Sequence, residues 1–242
     1  VLATLHFAPT EPGRNNLLSE GIAAERILVT GNTGIDALKR TTERLRTAPG
    51  LSAVVRGRLA SLGLSCLAET AVKPRIAIIT AHRRENFGTG IPNICRALIR
   101  LSEQFDDVAF VFPVHPNPEV TGPVDQIIRR AARPNIFAVP PLDYLSFAYL
   151  LEKAAVIVTD SGGIQEEAAA LGRNLVVLRD VTERVELVGL PGARVVGTNE
   201  GRIVEAVGEI LADANRPAPP ASAIFGAGDA ASRIVDRLLD RQ

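Results

Sequence analysis

Six short apolar, β-branched runs, at 76–80, 108–114, 136–139, 156–159, 175–178 and 194–196, punctuate the chain from Lys73 onward. Helix-period segments fill the intervals; Ile91, Ile94, Cys95, Leu98 and Leu101, for example, fall on one stripe. This alternation restricts the architecture sharply. A strand, a helix and a second strand in succession form a crossover, and crossovers join parallel strands. Right-handed crossovers place helices on both faces of the sheet, so its strands read as continuous apolar runs. The fold expected is α/β, a Rossmann-like doubly wound parallel sheet over 73–215.

The flanks read differently. Residues 1–32 predict a strand, a helix over 13–20 and a strand at 27–30, a βαβ remnant of some other sheet. Residues 33–72 predict connecting helices, with Gly31-Asn32 and Ala48-Pro49-Gly50 as punctuation. Pro217-Ala218-Pro219-Pro220 makes a stiff connector within 216–242 and leads to a last helix over 230–240, with Ile234, Val235, Leu238 and Leu239 on its apolar side. The chain starts at Val1 and has no methionine, and its first motif reads as a strand arriving in mid-fold. A truncated chain is expected.

Composition excludes several classes of function. Basic and acidic residues number 27 each, so no overall charge draws the chain to nucleic acid or to an anionic membrane. No apolar run approaches the roughly 18 residues of a membrane span, and no leader pattern opens the sequence. The two cysteines, Cys66 and Cys95, stand apart in sequence. Cys95 lies on an apolar stripe and reads as a buried thiol, a usage that fits a reducing cytoplasm. Three scattered histidines and two distant cysteines form no metal-ligand pattern.

Open parallel sheets bind ligands beyond the carboxyl ends of their strands. Those ends carry Ala81-His82-Arg83-Arg84-Glu85-Asn86, His115-Pro116-Asn117, residues 140–144 (PPLDY), Asp160-Ser161-Gly162-Gly163, and residues 179–184 (RDVTER). Polar loops are ordinary at strand ends; two of three histidines beside arginines are less so. Asp160-Ser161-Gly162-Gly163 is the sharpest signal, joining a buried strand to a helix over 164–171 that stops at Gly172. Asp160 or Ser161 can cap that helix, while the glycines let backbone amides approach an anion at its positive end. A phosphate site and a plain capped helix start suit the glycine pair equally. Glu166 and Glu167, in the first turns, can reach a ribose hydroxyl or stand as solvated helix residues. No P-loop or nucleophile elbow occurs. Gly226-Ala227-Gly228-Asp229-Ala230-Ala231 spells a dinucleotide fingerprint, but no strand precedes it, so it reads as a turn into the last helix.

Taken in order, residues 5–10 (LHFAPT), 29–36 (VTGNTGID), 80–86 (TAHRREN), 113–118 (PVHPNP), 159–167 (TDSGGIQEE) and Thr182-Glu183-Arg184 resemble the non-hydrolysing bacterial UDP-N-acetylglucosamine 2-epimerases over nearly the whole chain. The resemblance implies two Rossmann-like domains around a nucleotide cleft, a GT-B-type fold of which this chain is the C-terminal half. It implies interconversion of UDP-GlcNAc and UDP-ManNAc, by elimination and re-addition of UDP, in a cytoplasmic, homodimeric enzyme of polysaccharide biosynthesis that needs no cofactor or metal.

Carried onto this sequence, the family's UDP site comprises the backbone near Leu142, Phe147, Ser161, Gly162, Gly163, Glu167 and Arg184, with His82 as the catalytic candidate beside the diphosphate. Arg83 and Arg84 fall in a stretch that implies an effector site for UDP-GlcNAc; a structural ion pair explains them equally. The sequence also departs from the family pattern. TTERPE reads Val181-Thr182-Glu183-Arg184-Val185-Glu186, a glutamine of the uracil loop is Leu142, and NP[YF]GDG reads Ala223-Ile224-Phe225-Gly226-Ala227-Gly228. Most of the family's first domain, with the carboxylates that move the C2 proton, is absent, so the isolated chain is expected to be inactive. The alternatives are a GT-B UDP-sugar glycosyltransferase, a hydrolysing epimerase, and an inactive UDP-binding module.

Overall fold

The computed structural model describes residues 2–68, 74–213 and 217–239. The domain boundaries expected at 72/73 and 215/216, and the end of the last helix at Asp240, lie outside these residues. Among them, the chain begins with a small parallel unit: β1 (His6–Ala8), α1 (Glu11–Ser19) and β2 (Ile27–Val29), with Phe7 beside Leu28. Thr10 starts α1, its side chain accepting the Gly13 amide at 3.2 Å. Three helices follow, α2 (Thr33–Thr47), α3 (Pro49–Ser61) and α4 (Ser65–Ala68). Asn32 caps α2 through the Gly34 amide, and Pro49 opens α3, where its missing N–H costs nothing.

The main sheet has six parallel strands: β3 (Arg75–Thr80), β4 (Val108–Pro113), β5 (Ile136–Val139), β6 (Ala154–Thr159), β7 (Asn174–Val177) and β8 (Ala193–Val195). Their spatial order is β5-β4-β3-β6-β7-β8. The chain thus winds outward from β3 in one direction and then outward from β6 in the other. That is the doubly wound order expected, and the switch point falls between β3 and β6.

The inner strands β3, β4, β6 and β7 bury both faces, so successive residues enter different cores. Ala77 and Ile79 join Phe110, Phe112 and Val158 under α5 (Gly90–Gln104), α6 (Pro118–Pro123) with its π-helical extension Val124–Arg129, and α9 (Glu200–Ala212). Ile76 and Ile78 join Val111, Ile157 and Val177 under α2, α3, α4, α7 (Tyr144–Lys153) and α8 (Gly162–Ala170). Ile35, Leu38, Val55, Leu59 and Leu67 belong to this second core, so the helices of 33–68 close one face of the sheet. Cys95 is fully buried in the first, and burial pushes its thiol up to about 12.

The chain's end returns to its beginning. Phe225 inserts into the second core, and its carbonyl accepts the Asn32 amide at 2.7 Å. Gly226 then lies against Gly31. A Cβ on Gly31 would stand 2.8 Å from the Gly226 Cα, and both residues have positive φ, +90° and +116°. Only glycines allow two backbones to pass this closely. The turn leads into α10 (Ala230–Leu239), whose first amides are taken by Asp36 of α2, Ala230 N at 3.2 Å and Ala231 N at 2.7 Å. No described helix is long and apolar enough to cross a membrane.

Candidate functional site

At the switch point the loops after β3 and β6 are tied together by one carboxylate. Asp160 is fully buried, and its Oδ2 accepts the amides of His82 and Arg83, each at 2.8 Å, and Asn86 Nδ2 at 2.9 Å. Asn86 also reaches the Leu178 carbonyl at the end of β7, drawing a third strand into the junction. Asp160 therefore anchors residues 82–86 and does not cap α8, one of the two roles its position allowed. His82 Nδ1 stands 3.4 Å from Asp160 Oδ1, and its ring stacks on His115 with centroids 5.5 Å apart.

Ser161 occupies the cap position of α8 but makes no cap hydrogen bond from its side chain; its own amide turns back to Thr159 Oγ1 at 3.0 Å. The second capping role expected here is thus also unfilled. The leading amides of α8 thus have no side-chain cap, and backbone dipoles make that end positive. Arg184 adds charge: a Cβ on Gly162 would stand 3.3 Å from Arg184 Nη2, so the missing side chain leaves room for the guanidinium against the helix start. The arginine is held from behind. Arg184 Nε donates to Glu166 Oε1, and Glu166 Oε2 accepts Asn32 Nδ2. Thr182 Oγ1 donates to Gln165 Oε1 at 2.7 Å and accepts the Arg184 amide at 3.1 Å. Glu166 is buried here, neither solvated nor turned to a ligand.

One turn on, Glu167 is half-buried and accepts a hydrogen bond from Tyr144 at the start of α7. Burial and the neighbouring Glu166 push its carboxyl up to about 7, against the lowering effect of Tyr144. Tyr144 follows the loop after β5, where Asp143 caps α7 through the Ser146 amide and hydroxyl. Leu142 and Phe147 are half-buried against the second core, which fixes the course of the backbone there. Beyond Arg184 lies a cavity of about 490 Å³. Phe7, Pro9 and Thr10 of the first unit form one wall; Glu166, Glu183, Arg184 and Glu186 form another, and Ile234 of α10 reaches it. Thr10 Oγ1 closes part of the gap by donating to Glu186 at 2.6 Å.

The family model for UDP-N-acetylglucosamine 2-epimerase matches residues 1–239. The chain belongs to this epimerase family. A probable UDP-N-acetylglucosamine 2-epimerase of Ralstonia solanacearum is 45% identical over 97% of the chain and 60% of its own length. Among solved structures, the UDP-GlcNAc 2-epimerase of Neisseria meningitidis bound to UDP-GlcNAc superposes with a TM-score of 0.86 at 36% identity, over 99% of this chain and 62% of that one. The enzyme of Methanocaldococcus jannaschii in complex with UDP-GlcNAc and UDP gives 0.78 at 31% identity, again over 99% and 62%. The chain thus spans about 60% of the length of these relatives. Its fold is the Rossmann-like α/β layer of GT-B proteins.

The epimerase-family chain gathers its expected site residues around one junction. His82 and Ser161 meet through Asp160, Gly162 lies beside Arg184, and Glu167 reaches the 142–147 loop through Tyr144. Of these residues only Arg184 lines the cavity beyond it. Arg83 is half-buried, with Nε lacking a hydrogen-bond partner among the described residues, and its charge helps hold the Glu183 carboxyl low; Arg84 is exposed. In the same loop Glu85 pairs with Arg179 at 2.6 Å. The contacts that Asp160, Asn32 and His115 make were not legible in the sequence, because each joins residues far apart in the chain. No cluster of three or more potential metal-ligating side chains occurs among the described residues.

Proposed function

We propose that this chain supplies the UDP-binding part of a non-hydrolysing UDP-N-acetylglucosamine 2-epimerase. The observation that carries the reading is the amino end of α8: its amides lack a side-chain cap, and Arg184 lies against Gly162 at the switch point. A diphosphate satisfies both, with charge-assisted hydrogen bonds from the guanidinium and from the backbone. Glu167 would take the ribose hydroxyls. The backbone of 142–147, stiffened by Phe147, would take the uracil. His82, at the same junction, would face the diphosphate as the group that assists its departure and return.

In the proposed reaction a base removes the C2 proton, and the C2–H electron pair forms the C1=C2 double bond. The C1–O bond breaks with its pair leaving on the β-phosphate oxygen, giving UDP and a 2-acetamidoglucal. Re-addition of UDP with protonation at the opposite face of C2 completes the inversion. Stabilising charge on the departing diphosphate is the part of this work for which the α8 amino end and Arg184 are suited. Titration calorimetry with UDP and with NAD tests the assignment. UDP binds and NAD does not if it is right; a preference for NAD overturns it.

A further inference from the structure

We infer that Asp160 is a positioning residue that fixes the tautomer of His82, holding the proton on Nδ1 and the lone pair on Nε2. The inference deepens the proposed function, on which the role of His82 toward the diphosphate rests. Asp160 is fully buried, and its two oxygens have different surroundings. Oδ2 is saturated by three donors, the amides of His82 and Arg83 and the side-chain amide of Asn86. Oδ1 is buried and accepts no hydrogen bond among the described residues, and His82 Nδ1 stands 3.4 Å from it.

A buried carboxylate oxygen without a donor is costly, about 1–3 kcal/mol or more for a charged group. A carboxylate is an acceptor only, so it is relieved by a donor, and His82 Nδ1 is the group that stands beside this oxygen. With its lone pair on Nδ1, His82 would set acceptor against acceptor across 3.4 Å of buried space. With the proton on Nδ1, a small rotation of the ring completes the bond.

Two further contacts limit that ring. Its backbone amide is bound to the same aspartate, and one face is covered by His115 at an interplanar angle of 17°. The neutral imidazole therefore offers Nε2 as a proton acceptor, and once protonated there it becomes a donor whose charge faces Asp160. A group that must take up a proton and return it at one atom needs this arrangement.

The test exploits a consequence of the three-donor anchor. In Asp160→Asn the amide oxygen must turn to the three donors, which leaves its NH₂ facing His82 Nδ1. The anchor is kept and the tautomer is reversed. Long-range ¹H–¹⁵N spectra of the labelled chain, read on the neutral side of the histidine titration, report which ring nitrogen is protonated. The chain has only three histidines, and the signal lost in His82→Gln identifies the one of interest.

The expected result is Nδ1–H in the wild type and Nε2–H in Asp160→Asn, with the protonated and bare nitrogen shifts exchanged. Nε2–H or an even mixture in the wild type overturns the inference, as does a folded Asp160→Asn that keeps Nδ1–H. If that variant fails to fold, the wild-type spectrum decides alone. UDP calorimetry on the same samples separates the two levels: the expected tautomers without UDP binding would leave the positioning intact and remove the function built on it.

Discussion

Arg184 and Glu166 illustrate why an arginine proposed to hold a ligand is seldom simple to remove. Glu166 is almost fully buried between Arg184 and Asn32, so deleting the arginine leaves a carboxylate without its counter-charge. Arg184→Ala should weaken UDP by about 2–5 kcal/mol while affecting uridine far less. It should also lower resistance to urea. Adding Glu166→Gln should recover much of that resistance but none of the UDP affinity; recovery of both would mean that Arg184 serves the fold alone. Glu167 gives a second residue-scale prediction. Its carboxyl is raised from 4.5 to about 7, so the folded state holds the proton more tightly than the unfolded chain. The stability associated with it is fully present below about 4.5 and is lost as pH rises through about 7. Urea unfolding at several pH values should show the wild type losing on the order of 3 kcal/mol relative to Glu167→Gln across that window. Parallel curves would show that solvent reaches the carboxyl freely.

At the scale of the element, α8 is the informative case. It is a nine-residue helix whose first amides are left uncapped, although serine at the cap position is well able to bond them. An aspartate there should bond those amides and complement the helix dipole, stabilising the domain by roughly 0.5–1 kcal/mol. It would also place a carboxylate where the diphosphate is proposed to sit. Ser161→Asp should therefore raise the melting temperature and abolish UDP binding together. A variant that gains stability and still binds UDP would place the phosphates elsewhere. Helix α10 behaves in the opposite way, since Asp36 of another helix caps it and its Val235, Leu238 and Leu239 remain exposed. Its sequence marks an amphipathic helix, but the cap belongs to tertiary structure.

For the molecule as a whole, the cavity beside Arg184 lies between the β1–α1–β2 unit and the six-stranded domain, and three carboxylates line it. All three are engaged: Glu166 by Arg184 and Asn32, Glu183 by Arg179 at 3.2 Å, and Glu186 by Thr10. A carboxylate already committed as a hydrogen-bond acceptor is a poor base for a weakly acidic carbon proton. Under the proposed function, the 242-residue chain by itself should bind UDP without exchanging the C2 hydrogen of UDP-GlcNAc. Proton NMR in deuterated water reads this directly. Loss of the C2 signal with this chain alone would show that its own residues move the proton.

The alternation of β-branched runs with helical stripes determined the parallel sheet, because both periods are local properties of the chain and the inner strands are buried on both faces. The strings TAHRREN and TDSGGIQEE likewise placed His82 and Ser161–Gly163 at strand ends, since each follows directly on an apolar, β-branched run. What the sequence could not determine is which side chains face one another across those loops. Asp160 lies 78 residues from the His82 amide it holds, Glu166 lies 134 from Asn32, and Thr10 lies 176 from Glu186. No local pattern encodes such pairs. They exist because the crossovers bring β3 and β6 side by side, and because a buried carboxylate, once there, must find donors wherever the folded chain supplies them.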